Sequence, residues 1–472
     1  MRHEQTAARF GSVVVVLLAA VACFGQEPRV AGGNWERASA AEVGLDATLI
    51  EHLVRDASGG TFSGLHAIVL VKDGKMVLDE YFAGYDSSRV HYTASISKSV
   101  ASIALGIAMD QGYLDGIDEG ILDRSLVELF PEYESVLTAD PRKQRILLRH
   151  VLSMSAGFEW DESSYPYDDP RNDFVQTRTG DDPIGYVFEK PMVAEPGTEF
   201  NYSGGLSTVV SSIVESSTGM PMDEFAEKNL FGPLGITDYE WEHIENGLAD
   251  AAGGVHMRPR DLAKLGYLFL NRGMWNRERI VSEAWVRESG KEHIVNEGNS
   301  PNYGLQWWCG DYHYAGQSSY TFFASGHGGQ KVFVFPEFDM VVVLLQQVFD
   351  NPMGELNNMA IMTRYVLPSV NPAAVLSPAV EIDDAALAKY AGEYVSGQQR
   401  VTITLRDGKL YADAQDTPTL ELVPLSANHF YGTVLDLVDV HFLFDVSEDG
   451  KVDGFRSSYS FSDEQFSKVP SN

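Results

Sequence analysis

A serine hydroxyl is a poor nucleophile until a neighbouring group takes its proton. The stretch His91 to Gly112, HYTASISKSVASIALGIAMDQG, holds one arrangement that could do so: Ser95 followed three residues later by Lys98. On a helix, residues three apart share a face, so the two side chains come within reach of each other. The start of a helix adds free backbone N–H groups and a partial positive charge, and both favour a developing oxyanion. Lysine becomes a useful base only when its pKa falls from about 10.4, through burial or a nearby cation. Ser97 points to another face of the helix and is expected to be dispensable for acylation.

Alone, Ser-x-x-Lys is a weak signal. A chain of this length and average composition holds on the order of one by chance, and a serine at a helix start is ordinarily a cap. Two further stretches add weight. PGTEFNYSGG places Tyr202 after a Pro-Gly turn, at the entrance of a helix. ASGHGGQKVFVF places His327, Gly328 and Gly329 at the head of an apolar strand, where glycine lets a substrate backbone come close to the strand edge. Gly-x-Ser-x-Gly and His-Glu-x-x-His are both absent from the sequence, which excludes the α/β-hydrolase elbow and the common zinc-peptidase motif. His256 and His327 lack metal-ligand spacing, and no cofactor or metal is expected.

The order Ser-x-x-Lys, Tyr, His-x-Gly resembles the serine β-lactamase-related superfamily: penicillin-binding proteins, class C β-lactamases, family esterases and 6-aminohexanoate-dimer hydrolases. The resemblance covers roughly residues 40 to 365, with LLRHVLSMSAGFEW, RPRDLAKLGYLFLNRGMWNRERIVSEAWV and YGLQWW as supporting stretches. It implies Ser95 as the nucleophile of an acyl-enzyme and Lys98 as the group that eases its deprotonation. It implies Tyr202 as a general base with Lys98, protonating the leaving group and activating the deacylating water. The backbone N–H groups of Ser95 and of Gln330, the residue after His327-Gly328-Gly329, would form the oxyanion hole. Trp160, Tyr165, Tyr167, Trp307 and Trp308 are candidates to line the cleft.

Departures from the pattern bear on the substrate. Class C β-lactamases carry Tyr-x-Asn, whereas this chain has Tyr202-Ser203-Gly204. Lys-Thr-Gly is replaced by His327-Gly328-Gly329, which weakens a fixed cation for an anionic substrate, and Ser-Asp-Asn is missing. These changes resemble the esterase and amide-hydrolase branch more than efficient β-lactamases.

The elements that must position these residues are legible around them. Asp46 to Ser58 has helical spacing, and HAIVLVKDGKMVLDEYFAGY reads as a hairpin turning at Asp73-Gly74. The Ser95 helix has an apolar side and closes at Gly112. Ser163 to Asp173 is a loop. GGLSTVVSSIVESSTG and RPRDLAKLGYLFLNRG read as helices ending at Gly219 and Gly273. Strand patterns return from residue 303, so one antiparallel sheet should form from both ends of this region, flanked by helices and a helical subdomain. Leu367 to Pro378 reads as a linker. After it, alternating strands with Asp-Gly turns indicate a small all-β domain, sandwich or barrel.

The fold class expected is therefore α/β, a β-lactamase-like domain over 32–368, with an all-β accessory domain over 379–472. Residues 1–26 read as a leader: Arg2 and Arg9, an apolar Val13 to Ala22, Ala20-Val21-Ala22 as a cleavage signal, then Cys23 in a lipoprotein-like setting. This implies a periplasmic protein, or an envelope-anchored one if Cys23 carries lipid. The 472 residues carry 67 acids against 35 bases, a formal charge of −32, which argues against nucleic acid as a partner. The expected function is an exported serine hydrolase acting on a small ester or amide. The alternatives are a D-amino-acid peptide or peptidoglycan-processing peptidase with weak β-lactamase activity, and an inactive binding protein on the same fold.

Overall fold

A computed structural model describes residues 35–296, 301–370, 379–415 and 417–470. The leader with Cys23 and the linker stretch 371–378 lie outside the described residues.

The main sheet has seven strands: β1 (Leu65–Lys72), β2 (Lys75–Tyr81), β3 (Asn302–Tyr303), β4 (Trp308–Tyr314), β5 (Gln317–Gly326), β6 (Gln330–Phe335) and β7 (Met340–Gln346). Their order is β2-β1-β7-β6-β5-β4-β3, antiparallel throughout. The early hairpin thus docks on the last strand, and everything between forms the helical insertion. Asp73 and Gly74 turn the hairpin with φ of 54° and 74°, the left-handed pair that a two-residue turn requires. Along β1, Ala67, Val69 and Val71 face one core while Ile68 and Leu70 face another. Both faces are covered, which is why the strand is apolar at every position from Ala67 to Val71 rather than at alternate ones.

Helix α1 (Ala47–Ser58) covers one face together with α5 (Met353–Ile361) and its continuation to Val370. Asp46 caps α1, accepting from Thr48 N at 2.8 Å and Leu49 N at 3.2 Å. The residues Leu367–Val370, expected to open a linker, are instead helical, with Leu367, Pro368 and Ser369 buried. On the opposite face lie α2 (Ile96–Asp110), α3 (Gly204–Thr218) and α4 (Pro259–Leu270). Helix α2 was expected to have a single apolar side, yet all its residues from Ile96 to Met109 are buried. Its serines fit that setting because each finds a backbone partner: Ser99 donates to Gln306 O at 2.7 Å and Ser102 to Leu305 O at 2.8 Å.

The C-terminal region is a closed eight-stranded barrel: β8 (Gly392–Ser396), β9 (Gln399–Arg406), β10 (Lys409–Ala414), β11 (Leu420–Pro424), β12 (His429–Val434), β13 (Val438–Val446), β14 (Val452–Tyr459) and β15 (Ser462–Lys468). Tyr394, Ile403, Phe430, Phe444 and Phe455 fill it. The β14–β15 turn plugs into the main domain. The Phe461 ring lies 4.8 Å from Tyr312 and 5.0 Å from Phe323, centroid to centroid, and Ser460 O accepts from His313 N at 2.5 Å. Arg364 adds bonds to Asp436 O at 2.6 Å and Asp439 Oδ1 at 2.9 Å.

Candidate active site

Ser95 stands at the position preceding α2, half-buried at the floor of a cleft of about 320 Å³. Ala94 before it adopts a left-handed φ of 49°, and Ser95 itself makes no side-chain capping bond. The ordinary role of a serine at a helix start is therefore vacant, and its hydroxyl is free for other partners. Lys98 Nζ lies 3.1 Å from Ser95 Oγ and donates to Ala252 O at 2.7 Å. That carbonyl is aimed by Asp250, whose Oδ1 accepts from Ala252 N at 2.9 Å and Gly253 N at 3.1 Å. Asp250 is in turn ion-paired with Arg178.

Lys98 is 1% exposed. Burial pushes its pKa below the usual lysine range, and the fields of Glu162 and Asp250 only partly oppose this. A neutral amine beside Ser95 can accept its proton. Tyr202 lines the same cleft from the other side, its phenol close enough to Ser95 for the two side chains to interact. Burial, reinforced by Glu162, raises the phenol far above its ordinary pKa, so Tyr202 is held in its protonated form. Lys98 Nζ sits 5.0 Å from the centre of the Tyr202 ring, and Trp308 stacks on the outer ring face at 5.7 Å.

His327, Gly328 and Gly329 were expected at the head of a strand. They form instead the turn joining β5 to β6, with Gly328 and Gly329 at φ of 87° and 91°. These glycines serve a left-handed turn that other residues adopt at a cost. A close approach to the segment just before Ser95 is made one residue earlier: a Cβ on Gly326 would run into Thr93 O. Gln330 pairs with Gly326 inside the sheet and is 1% exposed; its amide donates to Gln346 O at 2.5 Å. The cleft around Ser95 is lined by Ser325, Gly326, His327, Gly328 and Gly329, but not by Gln330. His327 faces the cleft mouth, its Nε2 3.3 Å from Asp350 Oδ1 and its ring stacked on Phe349.

A second cavity of about 730 Å³ adjoins the first, sharing Tyr167, Tyr202, His327 and Asp350. Trp160, Tyr165 and Tyr167 line it, and Trp308 lines the Ser95 cleft. Trp307 does neither: it is 1% exposed and stacked on Phe269 at 4.5 Å. His256 is bonded to Glu242 at 3.0 Å, away from the cleft lining.

Two buried acids of the site, Glu162 and Asp250, had no sequence signal, since a single acid in a loop has no periodicity. Glu162 accepts from Trp160 Nε1 at 2.8 Å and from Gly204 N at 2.5 Å, at the start of α3.

With this geometry in place, the comparisons are specific. The Beta-lactamase family matches residues 50–364. The chain belongs to that family. The Beta-lactamase domain holds all seven strands of the main sheet and the whole site around Ser95, while residues 376–468, the barrel, match a domain of unknown function, DUF3471. The 6-aminohexanoate-dimer hydrolase of Paenarthrobacter ureafaciens is 29% identical over 298 residues, 58% of this chain and 71% of its own. The lovastatin esterase of Penicillium rubens is 29% identical over 197 residues, 39% of this chain and 47% of its own. The crystal structure of SurE with D-Leu superposes with a TM-score of 0.51 at 18% identity, over 91% of this chain and 99% of its own. That likeness shows a shared fold.

Proposed function

We propose that this protein is a serine hydrolase that cleaves a small ester or amide through an acyl-enzyme on Ser95. The observation that carries the reading is the Ser95 hydroxyl, not spent on a helix cap, 3.1 Å from the buried Lys98 amine in a cleft that Tyr202 also lines. Neutral Lys98 takes the Ser95 proton as Oγ attacks the carbonyl carbon. The oxyanion is received by backbone N–H groups at the start of α2 and along the Ser325–His327 stretch beside it. Tyr202 gives its proton to the departing oxygen or nitrogen and is restored from Lys98. Water then attacks the acyl-enzyme, with the same groups acting in reverse.

Ester and amide cleavage by similar proteins supports this substrate class. The 3.1 Å contact of Lys98 with Ser95, with Tyr202 in the same cleft, counts against a catalytically silent site. A peptidase acting on D-amino-acid peptides would use the same groups. Of the cleft's own side chains, His327 stands near Asp350 where many relatives of the superfamily place a fixed lysine, which favours substrates without an anionic group there. We read residues 1–26 as an export leader, checked by the mass of the mature N-terminus.

A fluorophosphonate probe should add to Ser95 of the wild type and leave Ser95→Ala unlabelled. Equal labelling of both overturns the assignment. A panel of short nitrophenyl esters, the 6-aminohexanoate dimer, D-alanyl peptides and a chromogenic cephalosporin then ranks substrates by kcat/KM.

A further inference from the structure

We infer that Glu162 is the counter-charge of Lys98, a positioning residue that holds the Tyr202 end of α3 and stabilises the ammonium formed when Lys98 takes the Ser95 proton. The inference rests on the acyl-enzyme reading above and assigns a group that the motifs do not contain.

Glu162 is 5% exposed, in the loop between the helices Leu148–Leu152 and Asp173–Thr179. One carboxylate oxygen, Oε2, accepts from Trp160 Nε1 and from Gly204 N. The other, Oε1, is buried with no hydrogen-bond partner among the described residues. A buried carboxylate normally needs hydrogen bonds to both oxygens or a neighbouring cation. The basic group whose field reaches Glu162 is Lys98, itself buried in the same site; burial raises the Glu162 carboxyl, Lys98 opposes that rise, and their attraction is greatest once Lys98 has taken a proton. The remaining charges are already matched elsewhere: Asp250 pairs with Arg178, and Asp173, also facing Glu162, pairs with Lys190. Tyr202, Tyr167 and Tyr303 face Glu162 as neutral phenols.

The third position of Tyr202-Ser203-Gly204 now has a physical meaning. A Cβ on Gly204 would lie 3.1 Å from Glu162 Oε2 and 2.6 Å from Phe174 Cδ2. The missing side chain leaves room for the Glu162 carboxylate at the helix N-terminus, where a negative charge is favoured. Tyr202 is two residues away, so the bond to Gly204 N also fixes the approach of its hydroxyl to Ser95. In the acylation step the Ser95 O–H bond breaks, an Nζ–H bond forms on Lys98, Oγ bonds the acyl carbon, and the carbonyl electron pair moves to oxygen. The only new cation is on Lys98, and Glu162 is placed to balance it.

The test is the pH dependence of kcat/KM on a nitrophenyl ester for wild type, Glu162→Gln, Glu162→Asp and Trp160→Phe, each first checked for an intact thermal transition. Gln keeps an oxygen for Gly204 N but removes the charge. Its plateau should fall at least about tenfold, and its acid limb should move about one unit or more to lower pH, because the Lys98 ammonium loses its partner. Asp and the Trp160→Phe variant retain the charge and should keep the limb near its wild-type position. A folded Glu162→Gln whose acid limb stays in place overturns the inference, whether or not its rate falls. Continued fluorophosphonate labelling of Glu162→Gln, absent in Ser95→Ala, separates failure of this inference from failure of the acyl-enzyme reading.

Discussion

Ser97 and Val255 are joined across the base of the cleft: Val255 N donates to Ser97 Oγ at 2.9 Å, and Ser97 Oγ donates to Ala94 O at 2.7 Å. Ser97 is fully buried. Its hydroxyl therefore ties the turn carrying Ser95 to the short strand Val255–Met257 and takes no part in the cleft itself. Ser97→Ala leaves a buried N–H and a carbonyl without this partner. We expect a loss of about 1–3 kcal/mol in unfolding free energy, read by denaturant titration, with fluorophosphonate labelling of Ser95 retained at temperatures where the variant is folded.

Tyr202→Phe removes the hydroxyl that shares the cleft with Ser95 while keeping the ring stacked on Trp308. If Tyr202 delivers a proton to the leaving group, the loss should depend on what leaves. An alkyl amide, whose nitrogen must be protonated, should lose about 10²–10⁴ in kcat/KM. A nitrophenyl ester, whose phenolate departs without a proton, should lose much less. Equal losses on both substrates would show that Tyr202 acts on the nucleophile alone.

Two buried histidines should make the fold acid-sensitive. His91 and His441 are each 4% exposed, and burial pushes each imidazole from 6.5 down to about 4. In the unfolded chain they titrate near 6.5. Between these values the unfolded state binds protons that the folded state does not, so stability rises with pH across this window. It is fully present above about 6.5 and falls as pH drops towards 4, by on the order of 1–3 kcal/mol per histidine. Thermal melting from pH 7 to 4 should show a shallower decline in the folded His91→Asn and His441→Asn variants than in the wild type.

Phe461 is the aromatic contact by which the β14–β15 turn of the barrel reaches the main domain, between Tyr312 and Phe323. Phe461→Ala should lower stability by about 1–3 kcal/mol. Because the residue lies outside the cleft lining, kcat/KM on a small ester should stay within about twofold of wild type when both are folded. A large fall in kcat/KM would mean that the barrel acts on the cleft.

Much of this architecture is legible from local chemistry. Asp73-Gly74, Gly112, Gly219 and Gly273 each mark a turn or helix end that has the left-handed backbone such positions need. Ser95 and Lys98 are recoverable because a helix converts a spacing of three into proximity. Three things were not recoverable. Trp307 and Trp308 are neighbours with opposite fates, core and cleft, and which is which depends on β4 beginning at Trp308. A glycine pair before an apolar strand signals either close approach or a turn, and only the pairing of Gly326 with Gln330 selects the turn. Glu162 and Lys98 come within each other's field across 64 residues of chain, a distance over which sequence pattern carries no register.

Gly204→Asn would restore the Tyr-x-Asn of class C β-lactamases. In this framework the added side chain meets Phe174 Cδ2 and Glu162 Oε2 from its first carbon onward. Space at that position is already taken by the carboxylate that caps α3, so the amide cannot reach a substrate without displacing it. The expected result is a destabilisation of about 1–3 kcal/mol by overpacking and no gain in cephalosporin turnover. Ester hydrolysis should fall as well, since the Gly204 N–Glu162 bond that positions Tyr202 is disturbed. A variant that is as stable as wild type and hydrolyses the cephalosporin faster would show that Gly204 alone, rather than its pairing with Glu162, separates this cleft from a β-lactamase.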